Sequence, residues 1–158
     1  MTWVPMNTDI PWDQSRMEFK PVCMTVSHSG GMQFTAETSG GLQIPIDAHL
    51  HLGGGGKIPN PIDYLIASLG GCVGIKILLS LQDQEIVPDH LTIRIQAERK
   101  QDLPAIFEHV HLVITLSCNV DDVMIDQIIT RTLSHLCPIA AMFAGVGSVT
   151  FEHRVIRG

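Results

Sequence analysis

The sequence predicts an α+β domain in which three short strands, a long apolar helix, two longer strands, two helices and a last strand follow one another. Three observations carry that reading. Apolar and polar residues alternate from Val22 to Ala48, an almost unbroken apolar run extends from Pro61 to Leu81, and alternation resumes after Pro88. At 158 residues the chain has the length of about one domain, here assigned to residues 21–158 behind an N-terminal arm, residues 1–20.

Taken in order, the arm holds Pro5, Pro11, Trp3 and Trp12 with scattered charge, so an extended segment packing on a partner is expected there. The runs CMTVSH, MQFTAET and LQIPIDA then read as an antiparallel meander, with turns at Ser29-Gly30-Gly31 and Ser39-Gly40-Gly41. Pro45 cannot donate to a ladder, which places the third strand at an edge. Gly53 to Gly56 lack the spacing of known phosphate loops and no strand enters them, so a flexible loop is expected rather than a phosphate cradle.

Asn60 as N-cap, Pro61 at the first helical position and Asp63 against the helix dipole start the long helix. Its apolar residues lie on nearly all sides, which predicts burial, and Ala67, Ser68, Gly70, Gly71 and Gly74 invite close approach by another backbone. LTIRIQAER and FEHVHLVITLSC follow as strands joined by a turn at Gln101 to Pro104. Asp121 and Asp122 open a second helix ending at Leu136 or Cys137; PIAAMFAG makes a short third helix and SVTFEHRVI the last strand.

Composition narrows the classes of function. A net charge of −6 with 16% charged residues opposes binding to a phosphate backbone, so no nucleic-acid partner is expected. Lys76 interrupts the longest apolar run and the first residues do not resemble a secretory signal, so neither membrane insertion nor export is expected and the cytoplasm is the assigned compartment. In that reducing setting the four cysteines are expected to be free, catalytic or metal-bound.

Two of them are placed for chemistry. Cys137 precedes Pro138 and so occupies an N-cap, where helix N–H groups would stabilise a thiolate; Cys72 shares a helical face with Lys76. Both also fit as small core residues, since free cysteine is commonly buried. Cys23 and Cys118 read as strand residues without a role, and Met124, Met142 and Phe143 as core or pocket wall.

The segments GGGGKIPNPIDYLIASLGGC and SHLCPI resemble the OsmC/Ohr family of thiol-dependent organic hydroperoxide reductases, over residues Val22 to Arg157. The resemblance implies an OsmC-like β3-α-β2-α2-β subunit, an intertwined homodimer with the long helix buried between sheets, and an active site at the subunit interface. It further implies catalytic roles for Cys72 as the peroxidatic and Cys137 as the resolving residue, an organic hydroperoxide as substrate, an external dithiol as reductant and no cofactor. The chain departs from the peroxide-resistance enzymes at Ile62, where they carry a glutamate, and has no arginine between Arg16 and Arg94 to stand beside the thiolate. Lys57, Lys76 and Asp63, with Arg16 of the arm, are the candidates for supporting charge, although lysine lacks the arginine fork. Two other readings stay open: an OsmC-fold binding protein for an apolar ligand without peroxidase activity, and a metalloprotein using His49, His51, His109, His111, His135, Cys137 and Cys72. With no CxxC or HExxH set, no metal site is assigned.

Overall fold

Two separate three-stranded sheets frame the chain in the computed structural model, which describes residues 19–157. The N-terminal arm therefore lies, apart from Phe19 and Lys20, outside the described residues. The first sheet is the expected meander: β1 (Met24–Gly30), β2 (Gln33–Thr38) and β3 (Gln43–Ile46), all antiparallel in that order. Gly30 and Gly31, at φ 117° and 56°, supply the left-handed backbone that the tight turn requires. Pro45 stands opposite Thr35 in β3, which among the described residues pairs on one side only, the edge position that proline tolerates. β1 is exposed along its whole length, Met24 and Val26 included.

A loop returns the chain to the long helix, α1 (Pro61–Gln82). Asn60 Oδ1 accepts from the N–H of Ile62 at 2.8 Å and of Asp63 at 3.2 Å, while Asp63 Oδ2 accepts from Asn60 N–H at 3.0 Å. This reciprocal box satisfies the orphan donors of the first turn and fixes where α1 begins. The Tyr64 hydroxyl donates to the Pro45 carbonyl at 2.5 Å, tying α1 to β3.

The second sheet has β5 (Phe107–Ser117) at its centre, antiparallel to β4 (His90–Arg99) and parallel to β6 (Ser148–Ile156). A parallel pair needs a long crossover. It consists of α2 (Asp122–Arg131), a π-helical turn (Thr132–Leu136) and α3 (Pro138–Ala144). Strand alternation in β5 sends Val110, Leu112, Ile114 and Leu116 into the core, where Leu69, Val73, Ile77 and Leu81 of α1 and Ile125 and Ile129 of α2 meet them. Of the α1 glycines only Gly70 is closely packed, since a Cβ there would lie 3.2 Å from Ile95 Cδ1 of β4; at Gly74 it would make an ordinary 3.4 Å contact with Ile93 Cδ1, and at Gly71 it would meet nothing within 4 Å. Gly147 is fixed by a closer approach, since a Cβ there would meet the Glu108 carbonyl oxygen at 2.5 Å.

Two sequence expectations need correction here. Within one chain α1 buries a single stripe and not its whole circumference; Ile75 keeps 58% of its surface. The reason is that β4, β5 and α3 reach only one side of the helix. By length and apolarity α1 also qualifies as a membrane-crossing helix despite Lys76. Its buried stripe instead packs on the second sheet.

Candidate thiol site

The π-helical turn sets the position of the second thiol. Cys137 N–H donates to the Thr132 carbonyl, five residues back, at 2.9 Å, which widens the last turn after α2. Cys137 then adopts an extended backbone, φ −96° and ψ 107°, as a residue before proline prefers. Its Sγ accepts from Ala140 N–H at 3.3 Å, so Cys137 is the N-cap of α3 that its place before Pro138 predicts.

That cap aims the sulfur at α1. Cys137 Sγ donates to Cys72 Sγ across 2.8 Å, although the two residues are 65 positions apart in sequence, and both cysteines are free. A disulfide requires approach to about 2.05 Å, a small further movement. Cys137 keeps only 2% of its surface, whereas Cys72 is half-buried at the edge of the core stripe.

The electrostatics of Cys137 differ from the helix-dipole expectation. Burial pushes its thiol up to about 11, the hydrogen bond it donates to Cys72 adds to the rise, and the Ala140 N–H offsets only part of it. Desolvation outweighs the short helix because both act on a sulfur with almost no water around it. An acid whose value is raised stays neutral further up the pH scale, so Cys137 keeps its proton at neutral pH. Iodoacetamide followed by peptide mapping should therefore label Cys72 and the exposed Cys23 before Cys137 at pH 8, with Cys137 labelling rising only as pH approaches about 11. Equal labelling of Cys72 and Cys137 at pH 8 would contradict this.

The supporting charges fall out differently from one another. Asp63 is consumed by the capping box, where its carboxylate also accepts from the Asn60 amide at 2.6 Å. Lys76 is half-buried on α1, one turn after Cys72, and Lys57 is exposed in the glycine loop. Among the described residues neither lysine is ion-paired. One cation escaped the sequence reading. Arg99, at the β-bulge ending β4, is brought beside Ile62, and both line the same two cavities. Arg99 Nε donates to the Ala105 carbonyl at 2.6 Å, and its guanidinium stands 5.9 Å from the centroid of the Phe107 ring. Its position on β4, 37 residues after Ile62 of α1, left no local signal to find it by.

The glycine loop folds around a carboxylate. Asp47 is buried and accepts from the N–H groups of Gly55 and Ala48, each at 2.8 Å, and from the Gln33 amide at 3.3 Å. The Gly55 hydrogen bond, foremost, holds its carboxyl below the ordinary value against an opposing contribution from burial. Gly54 is required by contact, since a Cβ would fall 1.7 Å from the Ala48 carbonyl oxygen. A loop organised on a carboxylate is anchored, which corrects the flexible-loop expectation, and its negative charge opposes phosphate.

The histidines are engaged separately. His109 and His111 bond Ser148 Oγ and Thr150 Oγ1 across β6, at 2.8 and 2.9 Å; His49 and His51 bond each other at 2.6 Å, and His135 bonds Ser134. Among the described residues no cluster of three or more His, Cys, Asp or Glu side chains is arranged to hold a metal ion.

Apolar space flanks α1 on two sides. An open groove of about 730 Å³ runs along Ile66, Gly70, Gly74 and the β4 residues Leu91, Ile93 and Ile95. A second pocket of about 420 Å³ lies between the first turns of α1, the loop before β5 and α3.

Comparison with known proteins agrees with this architecture. Protein YhfA of Escherichia coli is 25% identical over 129 residues, spanning 80% of this chain and 92% of YhfA. An OsmC-like protein of unknown function from Vibrio cholerae superposes with a TM-score of 0.72 at 14% identity, over 86% of this chain and all (100%) of that one. An organic hydroperoxide resistance protein from Elizabethkingia anophelis gives a TM-score of 0.65 at 18% identity, over 89% and 99% of the two chains. At such identities these structures show the shared fold. A sequence model described as "OsmC-like protein" matches residues 54–152, the stretch running from the glycine loop through α1 and both thiols into β6, and on that match the chain belongs to the OsmC-like family.

Proposed function

We propose that this chain is a thiol-dependent reductase of organic hydroperoxides, with Cys72 as nucleophile and Cys137 as resolving thiol. The observation that carries the reading is the 2.8 Å approach of two free thiols from distant parts of the sequence. Organic hydroperoxide resistance proteins among the structures sharing the fold support it.

The two sulfurs are chemically unequal, which supports that division of roles. Cys72 is the more accessible and receives a hydrogen bond; Cys137 is buried and holds its proton. The Cys72 thiolate attacks the distal oxygen of ROOH, the O–O bond breaks, and ROH leaves after taking a proton, so Cys72 becomes a sulfenic acid. Cys137 then attacks that sulfur, an S–S bond forms and water departs with the thiol proton. An external dithiol returns both residues to thiols by exchange. Thiols that must be regenerated suit a reducing compartment such as the cytoplasm. One equivalent of cumene hydroperoxide should convert the pair into an intramolecular Cys72–Cys137 disulfide, read by non-reducing peptide mapping. Persistence of both free thiols would sink the proposal.

The working unit is proposed to be a homodimer. The bare side of α1, with Ile75 58% exposed, and the exposed β1 strand with Met24 and Val26 form more apolar surface than one chain covers. Light scattering should return twice the 17.3 kDa chain mass, and Ile75→Asp should shift it toward one chain. A wild-type mass of one chain at micromolar concentration would refute the dimer.

A further inference from the structure

The 420 Å³ pocket lies apart from the dithiol: neither Cys72 nor Cys137 lines it. Its volume falls within the range of small-ligand sites, about 300–1,000 Å³. Ile62 and Leu65 of α1, Ile106 and Phe107 at the start of β5, and Met142 and Phe143 of α3 make walls with no charge of their own. Among the described residues Arg99 is the one charged residue of the lining.

The setting of Arg99 decides what the pocket can accept. Its Nε is engaged by the Ala105 carbonyl at 2.6 Å, and the guanidinium is held over the Phe107 ring. Among the described residues its two Nη groups have no hydrogen-bond partner and no carboxylate within ion-pair distance. A guanidinium anchored through Nε presents those two Nη donors as a planar fork, the geometry that a carboxylate accepts in two parallel bonds. Asp47 and Asp63 line the neighbouring cavity that Arg99 also reaches, so a second negative charge on the ligand would be opposed. An apolar body with one anionic end satisfies both the walls and the rim.

We infer that this pocket is a binding site for an amphipathic monocarboxylate, whose carboxylate pairs with Arg99 and whose hydrocarbon fills the space between α1 and α3. The site works without the thiols. Binding therefore stands or falls separately from peroxide reduction.

Isothermal titration calorimetry of the full chain with decanoate, decanol and decyl phosphate, below their aggregation concentrations, tests it. Decanoate should bind saturably and at least about tenfold more tightly than the alcohol, as a charge-assisted bidentate pair contributes. Decyl phosphate should bind more weakly than decanoate. Arg99→Gln should erase the preference for decanoate over decanol, Arg99→Lys should restore only part of it, and Cys72→Ser should leave it unchanged. Circular dichroism of each variant verifies the fold; because Arg99 is exposed at a strand end, both substitutions are compatible with it. No saturable decanoate binding, equal binding by Arg99→Gln and wild type, or loss of binding in Cys72→Ser would each overturn the inference.

Discussion

Cys72→Ser is expected to lower dithiol-dependent turnover of cumene hydroperoxide by about three orders of magnitude or more, because a serine hydroxyl stays protonated where a thiolate must attack. Cys137→Ser should behave differently. It removes the resolving sulfur 2.8 Å away but leaves the nucleophile, so one peroxide equivalent should leave a sulfenic acid on Cys72 that dimedone traps as a stable adduct. A stopped-flow assay with dithiothreitol separates the two. If Cys72→Ser retained wild-type turnover, or Cys137→Ser abolished the first oxidation as fully as Cys72→Ser does, the division of roles would be wrong. Ile62 gives this test its weight: with no carboxylate at that position, activity must arise from the thiol pair and its surroundings.

Ile77→Ala should give the largest loss of stability among single changes on α1, about 2–5 kcal/mol in urea unfolding. Ile77 is fully buried, in the stripe that meets β5, and truncation leaves a cavity that the strand cannot collapse into. Ile75, two residues away and 58% exposed in one chain, is the internal control. In an isolated chain Ile75→Ala should cost less than about 0.5 kcal/mol. A larger cost, appearing only at concentrations where the protein is dimeric, would mark the partner's cover on that face. Equal effects at both positions would mean that the buried stripe has been misplaced.

Local chemistry explains which parts of this fold were legible in the sequence. The meander could be read because glycine turns and period-two alternation act within a few residues, and α1 because Asn60, Pro61 and Asp63 write its start directly. Pro45 announced an edge strand by what it cannot donate. The depth of burial of α1 was not legible, since an apolar circumference records everything a helix meets in an assembly and not how much one chain covers. The π-helical turn was also silent: Thr132 to Leu136 have ordinary helical character, and the wider hydrogen bond emerges from where the crossover must deliver Cys137. At the site, the cap at Cys137 followed from Pro138, but the sign of its electrostatics depended on desolvation, a property of the whole core. Arg99 required the sheet register to bring it beside Ile62.

The 2.8 Å thiol pair also joins two structural units, the central helix and the crossover that carries the chain from β5 to β6. Between its ends lie β4, β5 and α2, so oxidation would staple most of the second sheet into one covalent ring. Closing a ring across 65 positions removes chain entropy from the unfolded state worth about 4 kcal/mol. If the pair cycles as proposed, each turnover would pass through a form that resists unfolding more than the resting one, and the protein's melting temperature would report the redox state of the two thiols.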